Sequence, residues 1–512
     1  MTLAADSIHW AIDFVSEHSD GDLFPKVQEF EAIRNRANEF VSLVEGKPLT
    51  EFTPGAYRRF IVPKDEVSYR QATQLDPQDS ILLAGVIHQF GASIEARRLG
   101  RDHVFGYRFS PAPDRGLYDN ATAWNDFWRR AYTLSKSHPV VLYCDIADFY
   151  NQVYHHEVNN QLIQSGFPNQ AAKWTVNLIE STTVGVSRGV PIGPHPIHLV
   201  AEATLIPVDD SLISAGLNFI RYADDYLVFC DNIKDAKAAL ARVATIMDRP
   251  QRLMLQRYKT KFYETDKFQE LCETMIEDRP ISPEEADLLK IIKKYSGGNP
   301  YKTIFLSQIK EEDWESISEK TLRRIIEEYI SEAPTDYVRL RWFYRRLAQI
   351  GHPGAIEVSL DHLEELGPCF ASICFYLASI QSIEPEDWTS IGRRLLGLLE
   401  SDEVRNNEYF ALLLLNLFSR NEYIDHFSTL ARAFESSSLF VRREILLAAK
   451  TNSAYGWIRQ YKESFSSMDP WQKMAFIYCC SGLPSDEKKY FINRWNTERP
   501  FERILAKWSK SI

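Results

Sequence analysis

The chain has 512 residues, of which 45% are apolar and 25% charged, a composition that excludes wholesale disorder and leaves length for roughly two to four domains. Its longest strongly apolar run, Tyr409 to Phe418, falls far short of the ~20 residues a bilayer span needs, so no membrane-spanning helix is expected. The net charge is −11, whereas a protein that grips a long duplex by its phosphates usually presents a basic face.

Residues 1 to 50 read as helical, because Ile12, Phe14 and Val15, then Phe30, Ile33 and Phe40, recur at helical spacing, with a break at Asp20–Gly21. From 51 to 110 the pattern is mixed. A short strand is predicted at Arg59–Pro63, then a long helix N-capped by Asp79, with Leu82, Leu83, Val86, Ile87, Phe90 and Ile94 as its apolar stripe. Residues 140–265 alternate strand-like and helix-like segments, as an α+β sheet domain does. Beyond 281 the chain becomes a series of amphipathic helical segments, among them 319–331, 335–350, 354–365, 439–450, 455–465 and 485–495. Paired helices of this length suggest a HEAT-like α-solenoid, with a non-repetitive bundle as the alternative. Asp336-Tyr-Val-Arg339 and Leu439-Phe-Val-Arg442 read as the same phrase at two helix starts. The predicted domains are therefore 1–50, 51–280 and 281–512.

Charge and cysteines bound the setting. Residues 281–512 hold 30 Lys and Arg against 33 Asp and Glu, while the first 280 hold 29 against 37, so most of the acid excess is N-terminal. Seven cysteines are scattered without a CxxC pair, which predicts a reducing, cytoplasmic compartment and neither a disulfide framework nor a zinc site. The opening MTLAADSIHW has no basic segment followed by an apolar one, so no secretory signal is expected.

Two segments carry the chemistry. Val140-Val-Leu-Tyr-Cys-Asp145 is an apolar run that ends on an acid and reads as a buried strand. In Leu217–Cys230, two apolar runs flank Tyr222-Ala-Asp224-Asp225, which reads as a β-hairpin with acids at its tip. Hairpins favour Asn-Gly or Asp-Gly at the turn; Ala-Asp-Asp is locally uncomfortable, as functional sites often are. One acid at a strand end is usually a cap or turn residue. Acids on adjacent strand ends repel unless cations sit between them, and oxygen ligands suit Mg²⁺. Two metals held this way can activate an attacking hydroxyl and stabilise a leaving pyrophosphate, which is nucleotidyl transfer.

Tyr222-Ala-Asp224-Asp225 resembles the YxDD signature of reverse transcriptases. Asp145-Ile-Ala-Asp-Phe-Tyr150 resembles their motif A, and Ser187-Arg-Gly189-Val-Pro191-Ile-Gly193-Pro their motif B. Leu255-Gln-Arg-Tyr-Lys259-Thr-Lys261 resembles the later lysine-bearing motif. Val62-Pro63-Lys64 with Tyr69-Arg70 resembles the fingers motifs that contact an incoming triphosphate. The resemblance covers about residues 55–265. It implies a right-hand polymerase fingers–palm in the N-terminal half, beside the all-α, HEAT-like C-terminal half read from the helical segments. It further implies Asp145, Asp224 and Asp225 as catalytic metal ligands, and Mg²⁺, with Mn²⁺ as alternative, at a two-metal site. Lys64, Arg70 and Gly193 would bind nucleotide, with cationic donors on phosphate oxygens. Tyr150 would exclude a ribose 2′-hydroxyl, and Lys259 would be a general acid.

Departures from the pattern narrow the resemblance. Where templated enzymes usually read Pro-Gln-Gly, this chain has Pro191-Ile192-Gly193; Asp148 adds charge to motif A; no thumb follows the palm. The chain thereby resembles bacterial abortive-infection reverse transcriptases of the AbiK type. That implies anti-phage defence, template-independent DNA synthesis from deoxynucleoside triphosphates, a single-stranded product attached to a priming protein hydroxyl, and a closed homo-oligomer, trimer or hexamer. The alternative is a templated RNA-dependent polymerase of the retron or group II intron kind. A third reading makes the palm a nucleotide sensor and the helical half a scaffold. None of the 24 tyrosines lies in the first 56 residues; Tyr154 is a priming candidate or a packing tyrosine, and His155 and His156 read as structural. Arg341, Arg345 and Arg346 could line a strand track, but a solvated or salt-bridged helix face is the commoner reason for such spacing.

Overall fold

The computed structural model describes residues 1–18, 23–113, 116–119, 122–276, 280–297 and 302–512; the Asp20–Gly21 break lies outside them. The chain forms two compact units, one of Met1–Arg58 with Thr73–Asp278, the other of Arg59–Ala72 with Arg279–Ile512. Its strands are β1 (Arg58–Pro63), β2 (Tyr69–Gln74), β3 (Phe109–Ala112), β4 (Gly116–Tyr118), β5 (Val140–Asp145), β6 (Phe219–Tyr222), β7 (Asp225–Cys230) and β8 (Lys261–Glu264).

The first unit is built on a four-stranded sheet in the order β6-β7-β5-β8, antiparallel throughout. The central strands are almost wholly buried, which is why β5 reads as an unbroken apolar run and not as an alternation. Phe127, Trp128 and Ala131 of the helix Ala123–Ser135, with Phe268 and Cys272 of the helix Thr265–Ile276, pack on Val141, Ile220, Leu227 and Phe229. The helix Ile233–Gln251 packs on β5, β7 and the helix His195–Ser214. The helix Ala5–His18 lies against Pro77–Glu95. That second helix starts one turn earlier than predicted: Asp76 accepts from the Gln78 amide as N-cap. Asp79 is instead in the first turn, where its carboxylate receives the Gly55 amide at 2.6 Å. Proline at the first helical position suits the earlier start, having no amide to satisfy.

In the second unit the hairpin segment 59–72 packs among helices. Phe60 is buried, with ring contacts to Tyr409 and Phe440. The helices Tyr337–Ile350, Phe370–Ser379, Glu408–Phe418, Leu439–Thr451, Pro470–Cys479 and Pro500–Ser511 each pack on the next. The two Val-Arg phrases open the first and fourth of these. Two readings are corrected. Residues 455–465 form only a short helix, Tyr455–Ile458, followed by 3₁₀ turns at Arg459–Ser467. The last helix, Pro500–Ser511, lies beyond the predicted segments; its proline at the first position and buried Phe501, Ile504, Leu505 and Trp508 were its available signals. All seven cysteines are free and buried. Among the described residues, no helix is long and apolar enough to cross a membrane.

Candidate active site

The antiparallel register brings the acids together. Asp145, the last residue of β5, is the direct cross-strand partner of Asp225, the first of β7, and Tyr222 pairs with Asp225 across the hairpin. Ala223 and Asp224 form the two-residue turn. Ala223 has φ +51°, a left-handed conformation that costs a non-glycine residue about 1–2 kcal/mol. It is retained by its surroundings: the Ile146 amide donates to the Asp224 carbonyl at 3.2 Å, and Arg221 donates to the Ala223 carbonyl at 3.1 Å. The pleat puts Tyr143, Asp145 and Asp225 on one face, where the Tyr143 hydroxyl donates to Asp225 Oδ1 at 2.9 Å.

The lysine-bearing segment crosses this strand end. Ala147 donates its amide to the Met254 carbonyl and Gln256 donates its amide to the Asp145 carbonyl, both at 2.8 Å. Lys259 then reaches Asp145 Oδ2 with Nζ at 2.5 Å. Burial, followed by the charge of Asp145, holds the Asp224 carboxyl up at about 6. Burial and the charge of Asp224 raise Asp225 to about 7. Burial pulls the Lys259 ammonium down, but its bond to Asp145 and the charges of Asp225, Asp145 and Asp224 outweigh that and raise it. Burial first, then Asp145 and Asp225, pushes the neighbouring Cys144 thiol up to about 12, so it stays inert.

Among the described residues, no group of three His, Cys, Asp or Glu side chains is arranged to hold a metal ion; Asp145 is engaged by Lys259 and Asp225 by Tyr143. The donor chemistry nevertheless fits a hard divalent cation. Burial, with the repulsion of neighbouring carboxylates added to it, lifts Asp224 and Asp225 out of the usual range, and a cation among the three acids would relieve that repulsion.

The other expected residues divide between the units. Tyr150 is half-buried within electrostatic reach of Asp224, and its hydroxyl meets His198 Nδ1 at 2.5 Å. Gly193 has φ +133°, and a Cβ there would sit 2.8 Å from the Thr73 carbonyl oxygen, so only glycine fits. Next to it, the Ile192 carbonyl accepts from the Thr73 amide at 2.7 Å. His155 is buried with Nε2 on the Gly189 carbonyl at 2.8 Å, a structural role. Tyr154 bridges Arg188 by backbone pairing. Lys64 and Arg70 are carried by the hairpin of the second unit. Lys64 is exposed and closes the turn with its amide on the Ser68 carbonyl; Arg70 is half-buried within charge range of Tyr409. Arg341 donates to the Lys64 and Pro368 carbonyls, Arg345 lies over the Trp342 ring, and Arg346 donates to Gln349, so each has a partner within its own unit.

Behind the Ala223–Asp224 turn lies a buried ion network that single-residue reading missed. Arg221 donates to Asp209 through two nitrogens and to Glu202 at 2.8 Å. Arg98 donates to the same Glu202 oxygen at 2.6 Å. All four side chains are almost completely excluded from solvent. Glu202 and Asp209, set within the largely apolar stretch 199–213, were the available signal, since buried charge requires partners.

Residues 63–278 match the family described as reverse transcriptase (RNA-dependent DNA polymerase). No match was found among curated proteins. The acid-tipped antiparallel sheet and the lysine laid across it lie within residues 63–278, the stretch of the chain that is similar to this family.

Proposed function

We propose that this chain is a metal-dependent polymerase that joins deoxynucleotides to a protein hydroxyl without a template, in the manner of the abortive-infection enzymes its motifs resemble. The observation that carries the polymerase reading is the register that sets Asp145 opposite Asp225 with Asp224 in the turn between β6 and β7. Asp145 and Asp224 would hold Mg²⁺ or Mn²⁺, with Asp225 in support. When bound, the metal pair would lower the pKa of the attacking hydroxyl and neutralise charge on pyrophosphate. In each transfer the hydroxyl oxygen bonds to the α-phosphorus and loses its proton to solvent, while the bond to the β-phosphate bridging oxygen breaks. Lys259, already at Asp145, would give its proton to the departing pyrophosphate. Tyr150 would wall the sugar site against a 2′-hydroxyl; Lys64 and Arg70 would bind triphosphate; Gly193 would let the backbone of motif B approach the nucleotide.

Ile192 in place of a polar residue, and the acid excess of the first 280 residues, support the untemplated reading. The helical unit, with successive helices packed in a row, is read as HEAT-like. A bacterial cytoplasmic setting, defence against phage, a single-stranded product that stays attached, and a closed trimer or hexamer belong to the same reading. Templated RNA-dependent synthesis is the second reading, favoured by the description of the matched family. The test is to incubate purified protein with Mg²⁺ and one labelled deoxynucleotide, without primer or template. Label that migrates with the protein, shifts after protease and disappears in Asp224→Asn is expected. Incorporation only after adding a primer and RNA template would replace this reading with the second.

A further inference from the structure

A second constellation lies beside the carboxylates. His198 is in the first turn of the helix His195–Ser214. Its Nδ1 meets the Tyr150 hydroxyl at 2.5 Å, and the two rings stand perpendicular, 5.7 Å apart. Burial first, and the charge of Asp224 among its neighbours, keeps the Tyr150 phenol protonated. With Nδ1 unprotonated, the hydroxyl donates and Nδ1 accepts, and a protonated phenol suits a wall and not an attacking phenolate. On its other side His198 stacks on Tyr107, with centroids 4.1 Å apart and planes within 9°.

Tyr107 is itself clamped. Its φ is +50°, a strained conformation that persists only where the surroundings over-determine it. Arg98 supplies that constraint, donating to the Gly106 and Tyr107 carbonyls, each at 2.7 Å. Arg98 is held in turn by Glu202, one helical turn beyond His198. Gly106 allows the close approach, because a Cβ there would sit 2.9 Å from the Ala223 amide nitrogen. The chain Glu202, Arg98, Tyr107, His198, Tyr150 thus leads from the buried ion network to a ring beside Asp224.

Resting on the reading of Tyr150 as the residue under the sugar, we propose that His198, braced by Tyr107, is a positioning residue that sets deoxyribose-over-ribose selectivity. Steric exclusion works only if the excluding ring cannot swing aside, and a functional side chain must be held to about 0.5 Å by its supporting shell. With its hydroxyl untethered, Tyr150 could change rotamer and admit a 2′-hydroxyl. Tied to His198, it cannot do so without losing a partly buried hydrogen bond.

The experiment compares dATP with ATP in the full chain, both as single-nucleotide incorporation and as dissociation constants measured with Ca²⁺ in place of Mg²⁺. His198→Ala is expected to lower the dATP/ATP selectivity at least tenfold, mainly through a lower KM and tighter binding for ATP. His198→Asn, which keeps an acceptor near the Nδ1 position, should restore the ratio to within threefold of the parent. Tyr150→Phe, which keeps the ring and loses the bond, should match His198→Ala, and the double variant should add little. This pair decides the question if His198→Ala does not fold. Unchanged selectivity in His198→Ala or Tyr150→Phe, with a collapse in Tyr150→Ala, would overturn the role of His198 and leave Tyr150 as the wall. Unchanged selectivity in Tyr150→Ala, or a parent chain that takes the two nucleotides equally, would overturn both.

Discussion

Asp224 and Asp225 are held above the ordinary carboxylate range by burial first, then by the charge of Asp145 on Asp224 and of Asp224 on Asp225, at about 6 and about 7. The sign of the linkage follows. Their protonated forms are favoured in the folded state, so the stability they contribute is complete below the unfolded value near 3.8 and is lost as pH rises through 6 to 7. The metal-free protein should therefore melt at a lower temperature at pH 8 than at pH 5. Asp225→Asn should flatten that slope, as read by calorimetry in chelator; an unchanged slope would mean that the pair ionises freely. Arg221 offers a second test. Replacing it with Met leaves Asp209 and Glu202 buried beside Arg98 alone, and removing one partner of a buried pair costs about 3–5 kcal/mol. Urea denaturation of Arg221→Met should show a loss of that size, with much less in the Arg221→Met, Asp209→Leu double variant.

The β1–β2 hairpin is a structural part of the helical unit. Phe60 and Val62 on β1 are buried, the Tyr337 hydroxyl donates to Glu66 at 2.8 Å, and Arg341 donates to the Lys64 carbonyl at 2.8 Å. The turn that carries Lys64 is thus shaped by the helix Tyr337–Ile350. Phe60→Ala should cost about 3–5 kcal/mol, the usual range for a buried phenylalanine. Arg341→Ala leaves the fold intact but loosens the turn. If Lys64 grips triphosphate, it should raise the deoxynucleotide KM about threefold or more with little change in kcat. A KM equal to the parent's would detach Lys64 from nucleotide binding. The strand itself was legible, since Phe60-Ile61-Val62 is a short aromatic and β-branched run of the kind strands favour; the helices that cover it were not.

For the whole molecule, the chain leaves the first unit at Arg58, returns at Thr73 and leaves again at Asp278. A cut near 280, where the composition changes, would separate the hairpin from the helices that bury it. A fragment of residues 1–280 should therefore expose Phe60 and Val62, bind a hydrophobic dye and fail to incorporate nucleotide. A fragment as active as the full chain would show that the hairpin needs no such support. Such a boundary cannot be read from composition, because a short segment inserted into a distant unit leaves no local trace.

What the sequence determined by itself was local. An apolar run ending at Asp145, and two runs around a two-residue turn at Ala223–Asp224, specify strand ends with acids on them, because strand period and turn length act over a few residues. The helical second half was legible for the same reason, through 3.6-residue periodicity. The tertiary structure alone decided which groups those acids and their neighbours meet. Lys259 meets Asp145 across 114 residues, His198 meets Tyr150 across 48, and Arg341 reaches Lys64 across 277. Such pairings depend on how whole elements pack to bury apolar surface and satisfy buried charge, and no local pattern records the partner.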